Sequence, residues 1–172
     1  LGAMPLGDDG DYSEESVVEN INTELVGNIS NFVYRVSSFC NKFLGSDTGS
    51  FNKSDVENQT YIKQIEEKID KVKKNYQGYE FREALKNILA ISQIGNRYFQ
   101  DKEPWKQVKE DKEIAHDTIS FCINIAKNLV VLLKPILPEY CKQVEKQLKL
   151  SDLTFDDINF DLYSNDDKIK LK

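Results

Sequence analysis

Hydrophobic residues recur every three or four positions along most of the chain, which is the spacing of one face of an α-helix. Ser13, followed by Glu14 and Glu15, predicts a helix start, because acids in the first turn face the helix dipole favourably. The stripe that follows predicts a first helix of about thirty residues. Its members are Val17, Ile21, Leu25, Ile29, Phe32, Val36, Phe39 and Phe43. The glycine- and serine-rich segment 45–50 ends it.

Two more amphipathic helices follow. Ser54 and Glu57 have the spacing of a capping box and predict the start of a second helix. Its inner residues are Ile62, Ile65, Ile69, Val72 and Tyr76, and Gln77-Gly78 breaks it. A third helix is predicted over residues 79–100, with Phe81, Leu85, Ile88, Leu89, Ser92, Gly95 and Phe99 inward. An inward glycine at position 95 indicates close approach of a neighbouring backbone.

Prolines divide the second half of the chain. Pro104 predicts a break, because proline disfavours helical geometry in the residue before it. Residues 110–134 are apolar over most of the helix circumference, so this fourth helix should be the central one. Pro135 and Pro138 end it, and Pro138 suits the first turn of a fifth helix reaching about Leu148. The predicted fold is all-α, an antiparallel bundle of four to five helices with a peripheral C-terminal tail.

The sequence divides into three parts. Residues 1–5 have the composition of a cleaved-tag remnant and stand outside the fold prediction. Residues 6–150 are predicted as the helical-bundle domain. Residues 151–172 are an acidic tail, expected to dock as a loose segment or to form a short strand. The most apolar stretch, residues 119–138, contains lysines, asparagines and a proline and predicts a buried bundle helix, not a membrane span.

Charge is distributed unevenly along the 172 residues, although the net charge is −6. Of the 29 acids, five lie in residues 1–16 and six in residues 151–172, which leaves 18 acids and 20 bases between them. The body of the chain therefore has a net charge of about +2 and can carry a local cationic patch. An acidic whole-chain balance does not exclude a nucleic-acid partner.

Most catalytic chemistry has no candidate residues. Because His116 is the only histidine, most metal sites and Ser-His-Asp arrangements are excluded. Its place on a helix predicts a surface or hydrogen-bonded side chain. Phosphate-binding glycine loops are absent, and no metal ligands are assigned. The three cysteines are odd in number, far apart and set among apolar residues, which predicts reduced core thiols. No catalytic residues are predicted.

One polar stripe runs beside the apolar stripe of the first helix. Asn31 and Arg35 lie one turn apart and project side by side. An amide beside a guanidinium can contact base edges, because arginine offers a rigid donor fork and asparagine offers both a donor and an acceptor. By spacing alone, an ordinary solvated helix face remains open as the alternative. The polar stripe consists of Glu24, Asn28, Asn31, Arg35, Ser38 and Lys42.

Trp105 is the only tryptophan and directly follows Glu103-Pro104 at a break between helices. A large ring placed there by a stiff proline is suited to stacking on an unpaired base. Alternatively, the ring plugs the end of the bundle core.

Several segments resemble the anticodon-binding domain of methionyl-tRNA synthetases, a class I family, and its eukaryotic and archaeal members more than its bacterial ones. The resemblance covers roughly residues 10–150 in the family's order. Its most specific elements are Asn31-x-x-x-Arg35 and Glu103-Pro104-Trp105. The similar segments are residues 22–36 in the first helix, residues 81–85 and 95–106 in and after the third, and residues 133–138 before the last.

The resemblance implies a helical bundle that binds the CAU anticodon loop of methionine tRNAs during aminoacylation. Asn31 and Arg35 match the residues that contact anticodon bases, and Trp105 matches the residue that stacks on one. The catalytic signatures His-Ile-Gly-His and Lys-Met-Ser-Lys-Ser are absent, so this chain alone should be inactive and hold no cofactor. ATP and methionine bind the absent catalytic domain. The implied partners are tRNA and that catalytic domain. The implied location is the cytoplasm, and no membrane partner is implied.

Two alternatives remain open. In the first, the chain is the similar helical anticodon-binding domain of another class I synthetase, such as leucyl-, isoleucyl-, valyl- or cysteinyl-tRNA synthetase. In a second alternative it is a helical protein–protein interaction module, in which Trp105 and the polar stripe contact a protein.

Overall fold

The computed structural model describes residues 14–150 and 152–162. The helix start predicted at Ser13, the predicted tag remnant (residues 1–5) and the end of the predicted tail (residues 163–172) lie outside this range. Helices account for most of the described residues, which confirms the all-α bundle. They are α1 (Glu14–Phe43), α2 (Val56–Gln77), α3 (Phe81–Lys102), α4 (Pro104–Glu110), α5 (Lys112–Leu133) and α6 (Pro138–Gln147), followed by a 3₁₀ turn (Phe155–Asp157).

The core lies around α5, as the apolar circumference of the predicted fourth helix indicated. Residues 118–133 are all buried, and α5 packs against α1, α2, α3, α4, α6 and the 3₁₀ turn. The other contact centre is α3, which lies against α1, α2, α4 and α5. Within the described residues, no helix is both long and apolar enough to cross a membrane.

Helix boundaries differ from the prediction at two places. The cap of α2 is Asp55, not Ser54, because the Asp55 carboxylate accepts hydrogen bonds from the backbone N–H groups of Glu57 and Asn58. The predicted fourth helix also begins later. Asp111 is extended and caps α5 through the N–H of Glu113, so residues 104–110 form a separate short helix that spacing alone did not predict.

Gly95 marks a close approach, but its neighbours are side chains and not a backbone. A Cβ at this position would lie 3.0 Å from Cζ of Phe32 and 3.1 Å from Cγ2 of Ile125. Gly95 therefore lets α3 pack closely against α1 and α5.

Two predicted environments are wrong. Phe81, expected inward, is 48% exposed, because it lies in the first turn of α3, where the bundle ends. His116, expected at the surface or hydrogen-bonded, is buried, and its Nδ1 has no hydrogen-bond partner. The helix α5 carries it under the loop after α1, where Gly49 packs against the imidazole ring.

The cysteines are core residues, as predicted. Cys40, Cys122 and Cys141 are buried and form no disulfide. Burial raises the pKa of Cys40 to about 11 and that of Cys141 to about 12. These thiols stay protonated near neutral pH.

Residues 152–162 pack against the bundle as a tail, with a 3₁₀ turn where a short strand was the alternative. Leu153 and Phe160 are buried. Asn124 on α5 exchanges two hydrogen bonds with the backbone of Leu162, and Lys127 donates to Oδ1 of Asn159 over 2.7 Å. Burial lowers the pKa of Lys127 to about 8, because the charged ammonium loses its contact with water when the tail packs over it.

Candidate nucleic-acid interface

The middle of the polar stripe on α1 faces the C-terminal half of α3. Arg35 lies with its guanidinium carbon 4.6 Å from the centre of the Phe99 ring, a cation–π contact. Its Nη2 donates to Oε1 of Gln100 over 2.9 Å, and its Nη1 donates to Oδ1 of Asn96 over 3.4 Å. The Phe99 ring therefore orients the guanidinium from its face, and the two amide oxygens orient it from its edge.

Asn96 links the two predicted base-contacting residues. Its Oδ1 accepts from Nδ2 of Asn31 over 3.5 Å as well as from Arg35. Its own amide nitrogen donates to the backbone oxygens of Asn28 and Ser92. Because these donations fix the amide, its oxygen faces the polar stripe and holds Asn31 and Arg35 side by side.

The turn between α3 and α4 positions Trp105. Glu103 has φ 46° and ψ 59°, the left-handed conformation that non-glycine residues adopt rarely. The chain reverses there, Pro104 starts α4, and the indole ring comes to lie 6.1 Å from the Phe99 ring. Trp105 is half-buried against the core. The ring thus combines features of both sequence interpretations, a packed plug on one side and an accessible surface on the other.

An open groove of about 310 Å³ lies between these elements. Arg35 and Trp105 line the same groove, with Phe99 between them. Asn31 lies outside the groove, one helical turn from Arg35, on the exposed surface beside it. The groove is lined by Arg35, Ser38, Phe39, Lys42, Phe43, Phe99 and Trp105.

The groove is cationic. Along residues 25–46 the only charged side chains are Arg35 and Lys42, and no acidic residue lines the groove. The nearest acid in sequence to Trp105, Glu103, pairs with Lys106 over 2.8 Å. A groove with two bases, the half-buried Trp105, the exposed Phe43 and no acid suits an anionic ligand that has flat rings.

Sequence reasoning singled out Asn31, Arg35 and Trp105 but missed the residues of α3 that hold them. Asn96 and Gln100 are four positions apart, so they share the helix face that also presents Phe99. Their spacing could have suggested a polar stripe on α3. Nothing in the spacing says that this face lies against Arg35, because that depends on how α1 and α3 pack.

Comparison with known proteins identifies the family. Residues 49–164 match the family model described as the anticodon binding domain of methionyl tRNA ligase. The chain belongs to this family. The matched range includes Trp105 and runs past residue 150, whereas Asn31 and Arg35 precede it.

Archaeal methionine–tRNA ligases are similar to this anticodon-binding domain. The chain is 36% identical to that of Methanopyrus kandleri over 152 residues, which covers 88% of this chain and 22% of the relative. It is 35% identical to that of Pyrococcus furiosus over 150 residues, covering 87% and 21%. The chain thus spans about a fifth of the length of these relatives.

A solved structure shares the fold. The apo form of Mycobacterium tuberculosis methionyl-tRNA synthetase superposes with a TM-score of 0.76 at 22% identity, covering 91% of this chain and 33% of that chain. At this identity the likeness concerns the fold alone.

Proposed function

We propose that this domain binds the CAU anticodon loop of methionine tRNAs. In this proposal Asn31 and Arg35 contact the edges of anticodon bases, and Trp105 stacks on one base. The domain would recognise the tRNA on behalf of a larger methionine–tRNA ligase, whose catalytic domain is its covalent partner. The ligation of methionine, with its ATP and methionine sites, belongs to that catalytic domain, and the cytoplasm is the expected location.

The observation that carries the proposal is the bonding of Arg35. Both of its side-chain hydrogen bonds go to neutral amide oxygens, of Asn96 and Gln100, and none goes to a carboxylate. The guanidinium charge therefore remains available to an anionic ligand. Because arginine has five N–H donors and only two of them are bonded here, the remaining donors can bind a base edge or a phosphate.

The position of Trp105 supports the stacking role. Its contact with Phe99 braces the indole from the core side, while the open groove leaves ring surface accessible. A base that enters the groove meets the indole and the Arg35 guanidinium together. Stacking on an aromatic ring typically contributes about 1–3 kcal/mol per base.

The direct test is a titration of the domain with two RNA hairpins that differ only in the anticodon, CAU and an altered triplet. We expect tighter binding of the CAU hairpin, and loss of that preference in Arg35→Ala. Arg82→Ala is the matched control, because Arg82 is an exposed arginine on α3 far from the groove. Equal binding of both hairpins would favour the domain of another class I synthetase, and no binding of either would favour the protein-interaction alternative.

A further inference from the structure

Tyr34 is an exposed aromatic residue beside the groove that the proposed function does not use. Its side chain is 66% exposed, whereas Phe32 and Phe39 on the same helix are buried. Within the described residues it makes no hydrogen bond, ring contact or cation–π contact. Packing therefore does not explain a tyrosine at this position.

The helix geometry places Tyr34 next to the proposed base-contacting residues. Asn31 and Tyr34 are separated by three positions, so their Cβ atoms lie about 5–6 Å apart on the helix surface. At about 100° per residue, Asn31 lies between Tyr34 on one side and Arg35 on the other. The tyrosine thus continues the surface of the groove past Asn31, away from Trp105.

The surroundings of Tyr34 leave its ring accessible. One turn before and one turn after it, the side chains are the small Ser30 and Ser38. Further along the same face, a Cβ built on Gly27 would meet no atom within 4 Å. The nearby charges on α1 are Arg35 and Lys42, with no acid in residues 25–46. On α6, which reaches this side of α1 through the Tyr140–Ser30 hydrogen bond, Glu139 pairs with Lys142 over 3.1 Å. A polyanion that approaches Tyr34 therefore meets the two bases of α1.

We propose that Tyr34 is a second stacking residue for the anticodon loop, holding a different base from the one on Trp105. The inference rests on the proposed function. It extends the recognition surface from the groove across Asn31 to the far side of α1. Two rings on either side of Asn31 and Arg35 would splay the loop bases, so that their edges reach the amide and the guanidinium.

The test compares Tyr34→Ala and Tyr34→Phe for binding to the CAU hairpin, with Tyr79→Ala as the matched control. Tyr79 is 82% exposed and lies at the other end of α3. We expect Tyr34→Ala to weaken binding roughly 5- to 150-fold, the equivalent of one stacked base. Tyr34→Phe should bind within about twofold of the unmodified domain, since the stacking face is kept. The melting temperature of Tyr34→Ala should stay unchanged because the side chain is exposed.

A second arm identifies the base. Hairpins with a single abasic position in the loop are titrated against Tyr34→Ala and Trp105→Ala. We expect one abasic position at which Tyr34→Ala causes no further loss, and a different one for Trp105→Ala. The same position for both variants, or equal losses at all positions, would overturn the assignment of a separate stacking site.

The outcomes separate this inference from the proposed function. If Arg35→Ala and Trp105→Ala lose binding but Tyr34→Ala does not, the inference fails and the proposed function stands. If none of the three variants loses binding, both fail. If Tyr34→Phe loses as much as Tyr34→Ala, the hydroxyl and not the ring makes the contact, and stacking is overturned.

Discussion

Two clusters of aromatic side chains lie at opposite ends of α3. The groove contains Trp105, Phe99 and Phe43. The second region, here called the aromatic end, consists of Tyr76, Tyr79, Phe81 and Phe155, whose rings lie within about 6.5 Å of one another in successive pairs. The 22 residues of α3 separate the two regions by about 33 Å.

The charges around the rings distinguish the two regions. Arg35 and Lys42 line the groove without any acid. Beside the aromatic end, a cavity of about 540 Å³ is lined by Glu15, Glu80 and Glu83 against the single base Arg82. By their charges, the first region attracts a polyanion such as RNA and the second repels one. Exposed rings alone therefore do not indicate a nucleic-acid site; the charges that border them do.

The largest expected effect comes from reversing the charge in each region. Arg35→Glu should weaken binding of the CAU hairpin by about 3 kcal/mol or more, since a base contact is lost and a repulsive charge is added. Arg82→Glu should leave the affinity nearly unchanged. Isothermal titration at one fixed salt concentration measures both. Comparable losses in the two variants would mean that RNA affinity depends only on the net charge of the domain.

Removing one ring from each region tests the aromatic part of the comparison. Trp105→Ala should lose about 1–3 kcal/mol of RNA affinity and about 1–2 kcal/mol of unfolding free energy, because the ring is half-buried. Tyr79→Ala should change RNA affinity little. Hairpin titration and urea unfolding monitored by circular dichroism give the two quantities. A Trp105→Ala variant that unfolds easily but binds RNA normally would make the ring a core plug.

Two asparagines of α3 test whether Arg35 is positioned by its neighbour. Asn96→Ala removes the acceptor shared by Asn31 and Arg35 and should cost about 0.5–1.5 kcal/mol of affinity. Asn87→Ala removes an asparagine of the same helix near the aromatic end, where it bonds Asn75, and should leave affinity unchanged. Asn96→Ala should also add little to the loss in Arg35→Ala. Additive losses would contradict the positioning role.

The smallest expected effect concerns salt dependence. Lys42→Ala should reduce the slope of log affinity against log salt by about 0.7, the value for one phosphate contact on a single strand. Lys86→Ala, which removes a lysine paired with Glu83 over 2.8 Å, should keep the slope. Titrations at several salt concentrations provide the slopes. An unchanged slope in Lys42→Ala would show that the groove makes no phosphate contact there.

Much of the fold could be predicted because it follows local patterns. The apolar stripe of α1 and the broad apolar surface of α5 follow from the spacing of their residues. The short helix α4 was missed because it depends on Glu103 adopting a left-handed conformation, for which glycine is the usual signal. The buried His116 was missed because its burial comes from a loop packed over α5, which a helix pattern does not contain.

The candidate site was predictable where it lies on one helix. Asn31 and Arg35 share a face of α1, so their proximity follows from their spacing alone. Asn96, Phe99 and Gln100 join them only through the packing of α3 on α1, which Gly95 permits. Tyr34 lies outside the apolar stripe of α1, so its spacing indicates an outward position, but only the packed structure shows that its side chain is 66% exposed and meets no partner among the described residues.

The most direct test of the central claim uses the fluorescence of Trp105, the only tryptophan in the chain. The domain is titrated with the CAU hairpin and with a hairpin of identical stem and altered anticodon. Our account predicts that the CAU hairpin quenches the fluorescence saturably, while the altered hairpin changes it little at the same concentrations. Equal quenching by both hairpins, or tight binding of the CAU hairpin that leaves the fluorescence unchanged, would contradict recognition of the anticodon at this groove.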